Sequence, residues 1–274
     1  TLREAWKYVE AADLEYVKDK ALDFHKTQVL KDAIVRSAQI LERDGDVDQI
    51  KALVDEAMKA GTERNLGHDY KVDFEERYSE TARITTPTPW DIINELMQGG
   101  LGAGELGVVV APAGIGKSWV LSAMGAYAIS QGKNVVHYTL ELNESYVGLR
   151  YDSIFSGVEG QNLMYHKDEV LEKVEKVEGD LTIKYYPTRS CTVNTLSAHI
   201  KKATSFGAEV DMILVDYADI MRDVSKSTEM RHQLGNIYED LRGLAGEMQI
   251  PIWTASQANR SALDEDVIDA SKVA

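Results

Sequence analysis

Apolar residues recur at helical spacing over the first part of the chain. Phe24, Val29, Leu30, Ala33, Ile34, Ile40 and Leu41 fall on one stripe, which stops at Asp44-Gly45-Asp46. Ahead of it, Thr1 and Glu4 have the spacing of a capping box before Trp6 and Val9. A further helix is predicted from Asp46 or Asp48, carrying Val47, Ile50, Leu53, Val54 and Ala57, with Gly61 just past its end. Such stripes need a partner surface, so residues 1–60 read as a small all-α unit. From Gly61 to Ile84 the periodicity lapses into polar, charged sequence with Gly67-His68-Asp69 and Glu75-Glu76-Arg77, the pattern of a linker carrying a short helix.

The pattern changes past Thr85. Thr85-Thr86-Pro87-Thr88-Pro89 ends any helix and sets an extended lead. Trp90 to Met97 returns to helical spacing, and Gly99 to Glu105 forms a turn. Then comes Leu106, Val108, Val109, Val110, short and β-branched enough for a buried parallel strand. Further strands are predicted at 134–140, 181–186, 212–216 and 250–255. Helices are predicted after residue 118, at 146–155 and 193–204, and over the face Leu234, Ile237, Tyr238, Leu241, Leu244, Ala245 and Met248. This alternation predicts an α/β domain over residues 85–274, a parallel sheet with helices on both faces. Ligands of such sheets sit at the carboxyl ends of the strands.

The first of those ends carries candidate chemistry. Ala111-Pro112-Ala113-Gly114-Ile115-Gly116-Lys117-Ser118 stands between a strand and a helix, the setting a phosphate-binding loop requires. Backbone N–H groups can point inward at a nucleoside triphosphate only where the loop turns tightly, which Gly114 and Gly116 allow. The cradle comprises Ala113, Gly114, Ile115, Gly116, Lys117, Ser118 and Trp119. Lys117 would reach the β and γ phosphates of ATP, Ser118 would offer its hydroxyl to Mg²⁺, and the following helix adds its positive dipole end. Ala111 stands where the strict pattern has Gly.

Charge and composition narrow the partners. The chain has 274 residues, enough for a substantial core, with 30 Lys+Arg against 45 Asp+Glu, a net charge of -15. That balance argues against a broad basic surface for non-specific nucleic-acid binding, although not against a small channel lined by a few loops. The single Cys191 excludes an internal disulfide framework and points to a reducing intracellular compartment. No apolar run approaches the ~20 residues of a membrane span.

Three polar residues at other strand ends complete the candidate set. Asp216 closes the apolar run Met212-Ile213-Leu214-Val215, so its carboxylate is expected at the ligand edge, holding Mg²⁺ with Ser118. Tyr217 follows it rather than a second acid, so a catalytic carboxylate must come from elsewhere. Glu141, at the end of the strand after the loop helix, could orient or deprotonate an attacking water. Gln257, with Ser256 before it, places an amide that could sense a γ phosphate, and Asn259 and Arg260 extend the same segment. Arg222, Lys226 and Arg231 surround a loop after Asp216, and Lys272 lies in the polar tail; of these ordinary surface charges, Lys226 and Lys272 are the candidate DNA contacts.

These blocks resemble the DnaB-type replicative helicases of bacteria and their phages, members of the RecA-like ATPase group. The resemblance runs from Thr86 to Ala274. Its carriers are Trp90-Asp91 through Gly104-Glu105-Leu106, the loop Ala111 to Ser118, Tyr138-Thr139-Leu140-Glu141-Leu142, Ile213-Leu214-Val215-Asp216-Tyr217, and Ile250-Pro251-Ile252 through Ser256-Gln257-Ala258-Asn259-Arg260. Residues 1–60 are similar, less distinctively, to part of the helical N-terminal region and linker of such proteins. The resemblance implies a RecA-like sheet and a homo-oligomeric ring, usually a hexamer, that threads single-stranded DNA and moves by ATP hydrolysis at subunit interfaces. It implies a primase and a helicase loader as partners, no membrane, and the cytoplasm of a bacterial or phage-infected cell. Lys117 and Ser118 match the loop lysine and hydroxyl, Glu141 the catalytic base, Asp216 the magnesium acid and Gln257 the γ-phosphate sensor. The chain reaches Ala274, before the region where the family carries its arginine finger, so the C-terminal end of this domain is expected to be incomplete. The family's principal DNA loop falls near Asp269 to Ala274, which is acidic or neutral here apart from Lys272. Two alternatives remain open at this point: a RecA-like DNA-binding ATPase that does not unwind, and a non-catalytic, nucleotide-gated assembly module.

Overall fold

The computed structural model describes residues 11–42, 50, 53–54, 57, 70–72, 74–79, 83–224 and 229–258. The chain divides into two compact units, Thr1–Thr81 and Ala82–Ala274. In the first, α1 (Ala11–Glu42) is one unbroken helix of 32 residues, as a run without Gly or Pro permits. Its covered side is narrower than the predicted stripe. Ala33 and Ser37 are buried and Val29, Leu30 and Ile40 are half-buried, whereas Phe24, Ile34 and Leu41 are exposed and lie off that face. Residues 50, 53, 54 and 57 are helical, with Ala57 buried, as the third stripe predicts. The short linker helix is α2 (Phe74–Ser79). The capping box at Thr1 and Glu4 and the stop signals at residues 44–46 and 61 lie outside the described residues.

The second unit opens with a small antiparallel ribbon of β1 (Thr85–Thr86) and β2 (Leu101–Gly102), with α3 (Asp91–Leu96) between them. The pairing was not legible in a stretch of Pro and Gly that reads only as extended chain and turn. Behind it stands a five-stranded sheet, parallel throughout: β3 (Leu106–Ala111), β4 (Val135–Thr139), β5 (Leu181–Tyr185), β6 (Met212–Asp216) and β7 (Ile252–Gln257). The order across the sheet is β3-β7-β6-β4-β5.

This order fixes which helix covers which face. The chain first moves from β3 outward to β4 and β5 through α4 (Lys117–Ser130) and α5 (Glu144–Ser156). It then returns inward to β6 and β7 through α7 (Val193–Ser205) and α8 (Met230–Met248). Parallel crossovers are right-handed, so reversing direction puts the second pair of helices on the opposite face. The core is split accordingly. Met212 and Leu214 pack with Leu121, Met124, Ile129, Val147 and Tyr151 under α4 and α5, while Ile213 and Val215 pack with Leu196, Ile200, Ile237, Leu241 and Leu244 under α7 and α8. Each strand of such a sheet is apolar on both sides, which is why β6 reads as a continuous apolar run. Between α5 and β5 the chain adds a 3-10 segment (Gly160–Tyr165) and α6 (Lys167–Val174), neither of which was predicted. α6 buries only Val170, too little apolar surface to leave a stripe in the sequence.

Candidate active site

The loop between β3 and α4 has the conformation its glycines were expected to allow. Gly114 and Gly116 have φ of 79° and 106°, the left-handed region that residues with a Cβ avoid. A Cβ at either would meet nothing within 4 Å, so conformation and not crowding explains both. Gly116 caps α4, accepting the N–H groups of Trp119 at 2.9 Å and Val120 at 3.0 Å. Ala113, Gly114 and Ile115 are exposed on the loop's crown. The Lys117 ammonium donates to the carbonyl oxygens of Ala111 at 2.9 Å and Pro112 at 3.0 Å, so it lies over the chain that leads into the loop. Partial desolvation lowers the Lys117 pKa, and the charges of Asp219, Glu141 and Asp216 oppose that shift.

Asp216 meets Ser118 across 98 residues of sequence: the Ser118 hydroxyl donates to Oδ1 at 3.0 Å. The carboxylate does not emerge at the edge as expected but is 1% exposed beneath that hydroxyl. Burial raises its pKa, while the Ser118 hydrogen bond and then the charge of Arg150 pull it down. The turn after β6 is pinned by Thr254, whose hydroxyl donates to Val215 O at 2.8 Å and accepts Ala218 N–H at 3.1 Å. The peptide bond from Asp216 to Tyr217 is cis.

Glu141 stands one strand away. Leu140 N–H donates to Asp216 O at 2.9 Å, extending the ladder by one residue past β4. There the Thr139 hydroxyl bonds both the carbonyl and the N–H of Leu142, at 2.7 and 3.2 Å. That local clasp turns the chain and leaves Glu141 exposed at its apex, close enough for its charge to act on Lys117, Asp216 and Tyr217. Gln257 is the last residue of β7 rather than the second beyond a strand ending at Ala255. It sits in register with Ala111, its side chain exposed, and Ala258 N–H donates to Ala111 O at 3.2 Å.

Lys117, Ser118, Asp216, Glu141 and Gln257 thus converge on one edge of the sheet. Lys226, Lys272, Asn259 and Arg260 lie outside the described residues. Sequence reasoning missed two others. Arg150, on α5, places its guanidinium carbon 5.4 Å from the Trp119 ring centroid, and its Nη1 is buried without a hydrogen-bond partner. Asp219 lies in the 3-10 turn Ala218–Ile220 and gathers three hydrogen bonds. A signal for it existed, a second acid three residues after a strand-end acid. Arg150 left none, since one Arg on a mixed helix reads as a solvated charge.

Residues 87–267 match the model of the DnaB-like helicase C-terminal domain, two thirds of the chain. The chain belongs to that family. The DnaB-like replicative helicase of Enterobacteria phage T4 is 29% identical over 249 residues, covering 84% of this chain and 51% of that protein. The replicative DNA helicase DnaB of Geobacillus stearothermophilus is 26% identical over 277 residues, covering 92% and 59%. The chain therefore spans little more than half of each. A solved DnaB-like replicative helicase, described with its interactions with primase, superposes with a TM-score of 0.64 at 14% identity, covering 95% of this chain and 63% of that one. That likeness carries the fold, a RecA-like parallel sheet with helices.

The donors at this edge of the DnaB-like domain suit a magnesium ion. They are a hydroxyl and a carboxylate, both hard oxygen donors, already 3.0 Å apart. Among the described residues no cluster of three or more His, Cys, Asp or Glu could hold a metal by itself. Magnesium accepts such sparse protein ligation because water and phosphate oxygens supply the rest of its shell.

Proposed function

We propose that this chain is the motor part of an ATP-driven replicative DNA helicase, which moves on single-stranded DNA and unwinds duplex as a homo-oligomeric, hexameric ring. The observation that carries the reading is the Ser118 to Asp216 hydrogen bond at the mouth of a phosphate loop, flanked by Glu141 and Gln257, in a chain of the DnaB-like family. In this reading Ala113 to Trp119 cradle the phosphates of ATP, and Lys117 leaves the carbonyls of Ala111 and Pro112 for the β and γ phosphates. Ser118 and Asp216 would hold Mg²⁺, which when bound neutralises charge on the phosphate oxygens. Glu141, exposed and beside the loop, accepts the proton of the attacking water. Gln257 reports the γ phosphate to the segment beyond Ala258. A primase and a loader are the partners this function calls for. DNA contacts by Lys226 and Lys272 belong to the same proposal.

The test is ATP hydrolysis with and without single-stranded DNA, together with strand unwinding, for the intact protein and two variants. Lys117→Ala and Glu141→Gln should each lower turnover by roughly 100-fold or more. Wild-type turnover in either variant would sink the assignment. Glu141→Gln should still bind nucleotide, which separates loss of chemistry from loss of binding.

A further inference from the structure

Asp219 has no part in the phosphate-loop chemistry described above, yet it joins three elements at that edge. Its Oδ1 accepts the Tyr238 hydroxyl from α8 at 2.6 Å. Its Oδ2 accepts the Gln257 N–H at 2.8 Å and the Ser256 hydroxyl at 3.2 Å, both from the end of β7. The β6 to β7 pairing ends at Val215 and Thr254. Gln257 has therefore run past the strand that would otherwise take its N–H, and the Asp219 carboxylate takes the place of a backbone carbonyl. On the other side Gln257 is in register with Ala111, the residue that opens the phosphate loop. Hydrogen bonds to an ionised acceptor are the stronger kind, so the main chain at Gln257 is held from both sides.

We infer that Asp219 is a positioning residue for ATP hydrolysis: it fixes the Gln257 main chain so that the amide meets the terminal phosphate of a nucleotide held by the loop. The inference rests on the function proposed above. Among the acids near Lys117, Asp219 exerts the largest electrostatic effect on the ammonium. Removing its charge leaves the phosphate-binding cation less neutralised, so nucleotide affinity should hold or improve while turnover falls. An asparagine offers one acceptor and one donor group where three donors converge, so Asp219→Asn sets an N–H against at least one of them.

The experiment measures kcat and KM for ATP, and the Kd of a non-hydrolysable ATP analogue, for the full chain, Asp219→Asn, Gln257→Ala and the double variant. Asp219→Asn should lower kcat about 10- to 100-fold with Kd unchanged or tighter, as a misplaced group would. The double variant should be no slower than Gln257→Ala alone. A merely structural role would weaken Kd along with kcat, and an independent role would multiply the two losses in the double variant; either result overturns the inference. Should Asp219→Asn fail to fold, Tyr238→Phe takes its place. That change removes the α8 anchor of Asp219 and a 3.4 Å contact to Ala255 O. It should give a smaller loss of kcat that also disappears in the Gln257→Ala background, and additivity there overturns the inference. A wild-type chain without turnover overturns the proposed function and this inference together, whereas an active wild type with a fully active Asp219→Asn overturns the inference alone.

Discussion

His137, at the centre of β4, is fully buried and touches none of the proposed chemistry. Its Nδ1 lies 2.8 Å from the Tyr151 hydroxyl, and its Nε2 has no hydrogen-bond partner among the described residues. Desolvation first, then the charge of Arg150, lowers its pKa from 6.5 to about 3, so the folded ring is neutral at any working pH. Between those two values the unfolded chain binds a proton that the folded chain does not. Stability is therefore intact above pH 6.5 and falls as pH drops toward 3, by about 1.4 kcal/mol per unit from this residue. Urea unfolding at pH 7 and pH 5 should show a loss about 2 kcal/mol smaller in His137→Asn than in the parent chain. Equal losses in the two proteins would contradict the assignment. Cys191, buried with its thiol pushed up to about 12, is an inert core residue by the same desolvation logic.

The helix that follows the phosphate loop is constrained along its length as well as at its start. At Gly125 of α4 a Cβ would stand 2.3 Å from the Tyr151 hydroxyl oxygen and 2.7 Å from Leu214 Cδ1. Replacing a helical Gly with Ala gains about 1 kcal/mol from propensity alone. Crowding a packed core costs about 1–3 kcal/mol and would also push Tyr151 off His137, so the clash wins. Gly125→Ala should lower the thermal midpoint, and an unchanged or raised midpoint refutes the close packing. The elements themselves were largely legible because β-branched runs and helical stripes alternate from residue 106 onward, and tertiary packing agreed with local pattern. Strand ends were less legible. β7 runs on to Gln257 because Ala111 pairs with it, a contact that the polar residues Ser256 and Gln257 do not announce. In the site, Lys117, Ser118, Asp216 and Glu141 could be found since each follows a recognisable apolar strand. Asp219 left only the weak signal of a second acid after Asp216 and Arg150 left none, because their contacts are with partners distant in sequence on α8, β7 and α4.

At the scale of the molecule, the edge of the sheet that gathers these residues is open to solvent. Ile115 is 65% and Trp119 46% exposed, and Glu141 and Gln257 are exposed beside them. In the proposed ring a neighbouring subunit would close that edge. Hydrolysis per chain should then rise with protein concentration as rings assemble. A specific activity constant from nanomolar to micromolar protein would show that one chain is sufficient. With a net charge of -15, any DNA path must be local, and mutation of single contacts should reduce binding more than it would on a broadly basic surface. Among the described residues no helix is long and apolar enough to cross a membrane.

The strand order has one more effect, on the order in which the chain can become functional. β3 bears the phosphate loop, and its partner among the described strands is β7, the last of those five in the sequence. While the protein is being synthesised, β4, β5 and β6 can pair among themselves as soon as they leave the ribosome, but among the described strands β3 has no partner until β7 has emerged. Nascent chains stalled before β7 should therefore be unable to bind nucleotide, although the loop's sequence is complete. In the proposed motor, nucleotide binding would thus wait on β7 rather than on completion of the loop.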